Sequence, residues 1–179
     1  MDNPWQTLSV KAIYENPWIS LSEAQVINPN GGQGIYGVVH FKNKAIGVLP
    51  IDDQGFTWLV GQYRYATDEY SWELPEGGGP LNEPPLASAQ RELREETGII
   101  AQQWREILQM KISNSVTDEH CYVFLAQGLS LGATDEEECE QLHLRRLPLS
   151  EAIEMVLRGE IMDSISVATL LWARVQGLG

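Results

Sequence analysis

The stretch from Pro75 to Gly98 restricts the fold of this chain more than any other. Pro75-Glu76-Gly77-Gly78-Gly79-Pro80 reads as a loop, because clustered prolines and glycines disfavour regular structure. Pro84-Pro85 then opens a helix, where a fixed φ and a missing N–H do no harm. Leu86, Ala89, Leu93 and Thr97 recur at helical spacing and predict one buried face over residues 85–97. Gly98 supplies the C-terminal stop.

The charges on this helix run against helix stability. Glu92, Glu95 and Glu96 fall on one flank, beside the Leu86/Leu93 face. Like charges at i,i+3 and i,i+4 cost roughly 0.2–0.5 kcal/mol per pair. Glu95 and Glu96 also lie in the last turn, where the macrodipole disfavours anions by about 0.3–1 kcal/mol. Arg91, one turn before Glu95, relieves part of this. Hard carboxylate oxygens converging on one flank, with no His or Cys nearby, suit Mg²⁺ or Mn²⁺. The helix taken alone reads more readily as an ordinary exposed Glu/Arg face.

Strand-like runs lie on both sides of this unit. Residues 18–27, 36–41, 45–51 and 57–64 form successive hairpins, with turns at Asn28-Pro29-Asn30-Gly31-Gly32 and Asp52-Asp53-Gln54-Gly55. No helix pattern follows Gly31, Gly32 and Gly34, so these are turn glycines and not a phosphate loop. Three more runs follow at 104–113, 121–129 and 140–147. The end is helical: Ser150 can cap a helix running to Gly159, and Asp163 or Ser164 a second. Asp135-Glu136-Glu137-Glu138 reads as a solvated loop. Strands with helices packed at their sides predict an α+β domain.

Charge and cysteine usage exclude some functions. The 179 residues carry 12 Lys+Arg against 25 Asp+Glu, a formal net charge of −13. Such a surface repels phosphate backbones, so sequence-independent nucleic-acid binding is not expected. A small anionic substrate stays open, because a divalent cation can reverse the local field. Cys121 and Cys139 form no CxxC and have no clustered histidines, so two inert thiols are expected, not a zinc site or a disulfide framework. The N-terminus has no signal-peptide pattern, and no apolar run approaches the roughly 20 residues needed to span a bilayer. A cytoplasmic protein without membrane contact is expected.

The flanking residues then narrow the helix reading. Gly77-x5-Glu83-x7-Arg91-Glu92-Leu93-x-Glu95-Glu96-x-Gly98-Ile99 matches the full Nudix box at every fixed position. At a usage of roughly 5–10 % per residue, chance does not produce such a match. The chain therefore resembles the Nudix hydrolases. Tyr14-Glu15-Asn16-Pro17-Trp18-Ile19, Gln62-Tyr63-Arg64, Trp72-Glu73-Leu74-Pro75 and Gly159-Glu160-Ile161-x-Asp163 are similar to the ADP-ribose pyrophosphatase and nucleotide-sugar hydrolase branch. The resemblance covers roughly residues 14 to 175.

The resemblance implies an α/β/α sandwich around a mixed sheet. Residues 1–45 would be an N-terminal antiparallel extension that supports a homodimer, and residues 46–179 the hydrolase domain. It implies hydrolysis of a diphosphate linked to another moiety, with Mg²⁺, or Mn²⁺ in its place, as cofactor. Glu92 and Glu96 would be the main metal ligands, with Glu95 close by or bound through water, and the carbonyl of Glu76 a further ligand. Arg91 would orient Glu95. Glu119, in the loop 113–119, and Glu95 compete as the general base. Arg64 would pair with phosphate, or else with Glu73, and Glu73 itself would belong to the substrate-binding set. Trp18 and Tyr36 would sandwich a base across the dimer, or else pack in the core.

Two positions depart from the branch pattern. Asn114-Ser115 stands where ADP-ribose specialists carry Pro-Gly, which widens the expected substrates to other nucleoside diphosphate sugars. Glu76 replaces a small residue, and its carboxylate is open to three uses: recruiting a cation, steering sugar hydroxyls, or facing solvent. The leading expectation is hydrolysis of ADP-ribose or a related nucleotide sugar to a nucleoside monophosphate and a sugar phosphate. The alternatives are a hydrolase of dinucleoside polyphosphates or other capped diphosphates, and a nucleotide-sensing module without turnover.

Overall fold

The computed structural model describes residues 2–132 and 142–179. An N-terminal antiparallel sheet is built from β1 (Gln6–Glu15), β2 (Ile19–Ile27) and β3 (Gln33–Phe41), in that order. The second sheet has the order β7-β4-β9-β8, from β7 (Glu76–Pro80), β4 (Asn43–Pro50), β9 (His120–Leu131) and β8 (Ile99–Lys111). It is mixed: β4 and β9 run parallel, and the other neighbours antiparallel. The third sheet sets β10 (His143–Pro148), β5 (Phe56–Arg64) and β6 (Glu69–Glu73) side by side. The helices are α1 (Pro85–Thr97), α2 (Leu149–Leu157) and α3 (Ser164–Val175).

The two-residue period of the central strands explains the layering. Ile46 and Val48 of β4 and Phe124 and Ala126 of β9 pack with Ala89 and Leu93 of α1. Leu49 and Leu125, pointing the other way, pack with α2 and α3 through Leu149, Ile153 and Leu170. Successive residues face opposite sides of a sheet, so an apolar run feeds two cores and the mixed sheet ends up between helices. This is the α/β/α sandwich expected. Cys121 starts the second face of β9, fully buried, and burial first, then Glu76 and Glu119, pushes its thiol up to about 12. It is an inert thiol. Cys139, the acidic run 135–138 and the first two residues of the strand expected at 140–147 lie outside the described residues.

Several local expectations change. β7 replaces the loop expected at 75–80, pairing Glu76–Pro80 with β4 from Gly47 to Asn43. Its glycines serve close packing: a Cβ at Gly79 would stand 2.5 Å from Ser88 Oγ of α1 and 3.2 Å from Ile46. β1 and β6 had no sequence forecast, and β8 starts at Ile99, not 104. All ten residues of β1 are exposed, including Leu8, Val10, Ile13 and Tyr14, so no one-sided burial pattern marks the strand. Leu86 shares the angular face of Leu93, but the first turn of α1 stays open and burial begins at Ser88. Ser150 lies inside α2, which follows Pro148 without a side-chain cap. Asp163 does cap α3, accepting the Ser166 N–H at 2.7 Å. Gly98 closes α1 at φ 68°, donating to Arg94 O at 2.8 Å.

Candidate active site

α1 presents its carboxylates toward β7. Glu92 and Glu96 are buried, at 8 % and 4 % exposure, whereas Glu95 is half-buried. Gly77 makes room for this: a Cβ there would stand 2.7 Å from Glu92 Oε1 and nearer still to Cδ and Oε2. Glu96 accepts the backbone N–H of Glu76 at 3.0 Å. Arg91 lies against all of this. It pairs with Glu92 at 2.9 Å and Glu95 at 2.7 Å, and donates to Gly78 O at 2.8 Å. The guanidinium is thus bonded to Glu95, one turn further along the helix. Glu83 works on the other side of the glycine strand. Its carboxylate accepts the Ser88 hydroxyl, and its carbonyl takes Lys44 Nζ at 2.7 Å.

These groups line one wall of a continuous cleft. A hollow of about 270 Å³ is bounded by Arg91, Glu92, Glu95 and Glu96 together with Trp18, Asn43 and residues 76–78. It shares Trp18, Asn43 and residues 76–78 with a second hollow of about 460 Å³, which adds Gln62, Arg64 and Glu119. Trp18 is 66 % exposed, so it belongs to the cleft and not to the core. An Asx turn presents it: Asn16 Oδ1 accepts the Trp18 and Ile19 amides, each at 2.8 Å. Glu119 is half-buried in the same cleft. Desolvation, then the charge of Asp118, raises its carboxyl above the ordinary value.

Arg64, Glu73 and Glu76 form a separate knot. Arg64 Nε lies 3.0 and 3.1 Å from the two Glu73 oxygens, and Nη2 bonds Glu73 as well. The same Nη2 reaches Glu76 Oε1 at 3.1 Å. The internal salt bridge is therefore the arrangement adopted, while the Arg64 side chain, 40 % exposed, still borders the cleft. Glu73, expected against substrate, is 3 % exposed and bonded to Arg64. The Glu76 carboxylate turns from the α1 glutamates toward Arg64 and Asp163. Burial, then Asp163 and Glu73, pushes its carboxyl well above the ordinary carboxylate range. Its Oε2 is buried without a hydrogen-bond partner among the described residues.

Tyr36 lies outside this cleft. Its ring meets Trp5 edge-on at 5.3 Å, and its hydroxyl donates to Ser115 O at 2.7 Å. Residues not singled out from sequence also shape the site. Asn43 lines both hollows, and Asp163 stands beside Glu76. Asp163 appeared only as a helix cap and inside the Gly159–Asp163 motif, and Asn43 carries no local signature.

A cation-binding role rests on the donor set. Among the described residues no three Asp, Glu, His or Cys side chains already converge as a ligand shell, because Arg91 stands between Glu92 and Glu95 as their shared positive charge. The donors available are all hard oxygens, and the missing Cβ at Gly77 lets the Glu92 carboxylate lie close against β7, where any Cβ would collide with it. This chemistry fits Mg²⁺ or Mn²⁺.

The NUDIX domain family model matches residues 41–164, well over half of the chain. The chain belongs to the Nudix family. The model for the nucleoside diphosphate sugar hydrolase N-terminal domain matches residues 5–39. This Nudix chain is 34 % identical over 174 residues to an ADP-ribose pyrophosphatase of Mycobacterium tuberculosis (strain ATCC 25618 / H37Rv), across 95 % of this chain and 83 % of the other. It is 30 % identical over 161 residues to an ADP-ribose pyrophosphatase of Bacillus subtilis (strain 168), across 89 % and 86 %. A crystal structure of an ADP compounds hydrolase superposes with a TM-score of 0.86 at 21 % identity, covering 98 % of this chain and 96 % of that one. At that identity the superposition establishes the fold. Among the described residues no helix is long and apolar enough to cross a membrane.

Proposed function

We propose that this Nudix pyrophosphohydrolase cleaves the diphosphate of ADP-ribose or a related nucleoside diphosphate sugar, giving a nucleoside monophosphate and a sugar phosphate. The observation that carries the reading is the single cleft that joins Glu92, Glu95 and Glu96 to Glu119, Arg64 and Trp18. In that reading Glu92 and Glu96 hold Mg²⁺ or Mn²⁺, with Glu95 and the Glu76 carbonyl as nearby donors. When bound, such a cation offsets charge on phosphate oxygens and acidifies the attacking water. Glu119 accepts the proton of that water, and its raised pKa brings it nearer the working range of a base. Arg91 holds Glu95 in place. Arg64 turns its exposed edge to phosphate while Glu73 fixes its orientation. Trp18 offers a flat face to the nucleobase.

The exposed apolar residues of β1 also support a homodimer through the N-terminal sheet, since an edge strand bearing Leu8, Val10 and Ile13 in solvent favours a partner. Tyr36 would then meet substrate from the partner's side. A monomer mass in sedimentation at micromolar concentration would overturn the dimer.

The function is tested by incubating the protein and Mg²⁺ with ADP-ribose, ADP-glucose, GDP-mannose and a dinucleoside polyphosphate, then separating the nucleotides. Monophosphate released from the sugar diphosphates is the expected result, and their relative rates measure the effect of Asn114-Ser115. Cleavage of the polyphosphate alone would move the chain to another substrate class. No turnover with Mg²⁺ or Mn²⁺ would favour a sensing module.

A further inference from the structure

Glu119 sits at the end of a loop, and among the described residues its carboxylate accepts no hydrogen bond. Its position therefore follows from the backbone that carries it. Residues 112–119 turn tightly at Ser113, whose φ is +48°, with Val116 and Thr117 amides donating to Ser113 O at 2.9 and 3.1 Å. The loop is then fastened to the open edge of β3. Val39 N donates to Val116 O at 2.9 Å, Asp118 N to Val39 O at 3.3 Å, and Tyr36 Oη to Ser115 O at 2.7 Å.

The side-chain anchor next to Glu119 is Asp118. Its Oδ2 lies 2.7 Å from His40 Nδ1, and its Oδ1 accepts the Phe41 N–H at 3.1 Å. His40 is itself fixed from behind, with Nε2 2.9 Å from Ser22 Oγ on β2. With Nδ1–H donating to the carboxylate, Nε2 accepts the Ser22 hydroxyl. The relay Ser22–His40–Asp118 thus runs from the middle of the N-terminal sheet to the residue before Glu119. Both members of the His40–Asp118 hydrogen bond are exposed, His40 at 41 % and Asp118 at 52 % of their side chains. Exposed pairs add little to global stability, so the effect of this one falls on where the loop sits.

We propose that His40 and Asp118 are positioning residues that hold the Glu119 loop in the cleft, making the N-terminal sheet part of the catalytic apparatus. The proposal rests on Glu119 being the general base. Misplacing a reacting group by about 1 Å costs on the order of 10²-fold in rate, so His40→Ala should lower kcat by roughly tenfold to a hundredfold. KM should stay within about twofold, because the substrate-binding wall is untouched. His40→Asn sets an amide N–H where Nδ1 stood and should restore most of the rate. Asp118→Ala removes the same contact from the other side and should lower kcat likewise, should His40→Ala fail to fold.

A double-mutant cycle with Glu119→Gln tests the proposal. The expected result is that His40→Ala lowers kcat in the native background and has no further effect once Glu119 is Gln. An equal loss in both backgrounds, or normal kcat in His40→Ala, would overturn the clamp while leaving Glu119 as base. If Glu119→Gln alone keeps full kcat, the base assignment falls and the clamp with it.

Discussion

Gly77→Ala is a one-methyl perturbation whose consequence follows from the geometry. The φ of Gly77 lies outside the left-handed region, so alanine fits the backbone. The new Cβ would nevertheless stand 2.7 Å from Glu92 Oε1, and nearer to Oε2 and Cδ, where ordinary contact begins at 3.4 Å. The obstacle is the free end of a flexible side chain, so the carboxylate retreats by ~1 Å and the strand stays. Crowding of this kind costs roughly 1–3 kcal/mol. The loss of unfolded-state freedom offsets about 0.4–1 kcal/mol of that. A net loss of about 1.3 kcal/mol lowers Tm by only about 3–5 °C. Activity should suffer far more, falling on the order of 10²-fold, because Glu92 leaves its place beside residues 76–78 and Arg91. The assay is kcat against Mg²⁺ concentration, paired with a thermal melt. Gly79→Ala is the control: its Cβ would meet Ser88 and Ile46, which belong to the packing of α1 on β4. Its stability should fall, with turnover per folded molecule retained. A Gly77→Ala protein within about threefold of native turnover at native Mg²⁺ demand would refute the reasoning.

Three other variants probe the same wall and its opposite. Glu96→Gln keeps an oxygen for the Glu76 N–H, so the fold should survive while turnover drops by at least ~10²-fold; near-normal activity would remove Glu96 from the metal site. Glu119→Gln should cut kcat by roughly 10²–10⁴-fold with KM little changed. Because burial and Asp118 raise the Glu119 pKa above 4.5, kcat should fall as pH drops through that raised value, and the residual activity of the variant should lack this limb. The same shift makes Glu119 favour folding below its unfolded pKa and lose that contribution as pH rises through the folded one, so Glu119→Gln should melt slightly higher than native at neutral pH. Arg64→Met leaves the buried Glu73 carboxylate without its cation, which should cost the low end of roughly 3–5 kcal/mol, since Arg64 is itself 40 % exposed. A denaturant midpoint equal to native would contradict the role given to that pair.

The helix and its charges were legible because their signals are local. Pro85 and Gly98 bound α1 at the residues the punctuation indicated, and the three glutamates sit on the predicted flank. β7 was misread because its glycines were judged by propensity, whereas α1 and the Glu92 carboxylate approach too closely for any side chain. β1 escaped because exposure on every residue leaves no alternation to detect. Trp18 could be read as core or as cleft, and its Asx turn put it in the cleft.

By itself, the sequence determined the family, the α1 helix with its carboxylate flank and the strand runs other than β1, β6 and β7. Each of these depends on residues a few positions apart, joined by backbone preference and helical period. Only the tertiary structure decided which carboxylates are already engaged. Glu73 and Glu76 turned to Arg64, and Asp118 to His40, a partner 78 positions away. Charges find partners by distance in space, and sequence spacing carries that distance only within a helix or across a short hairpin.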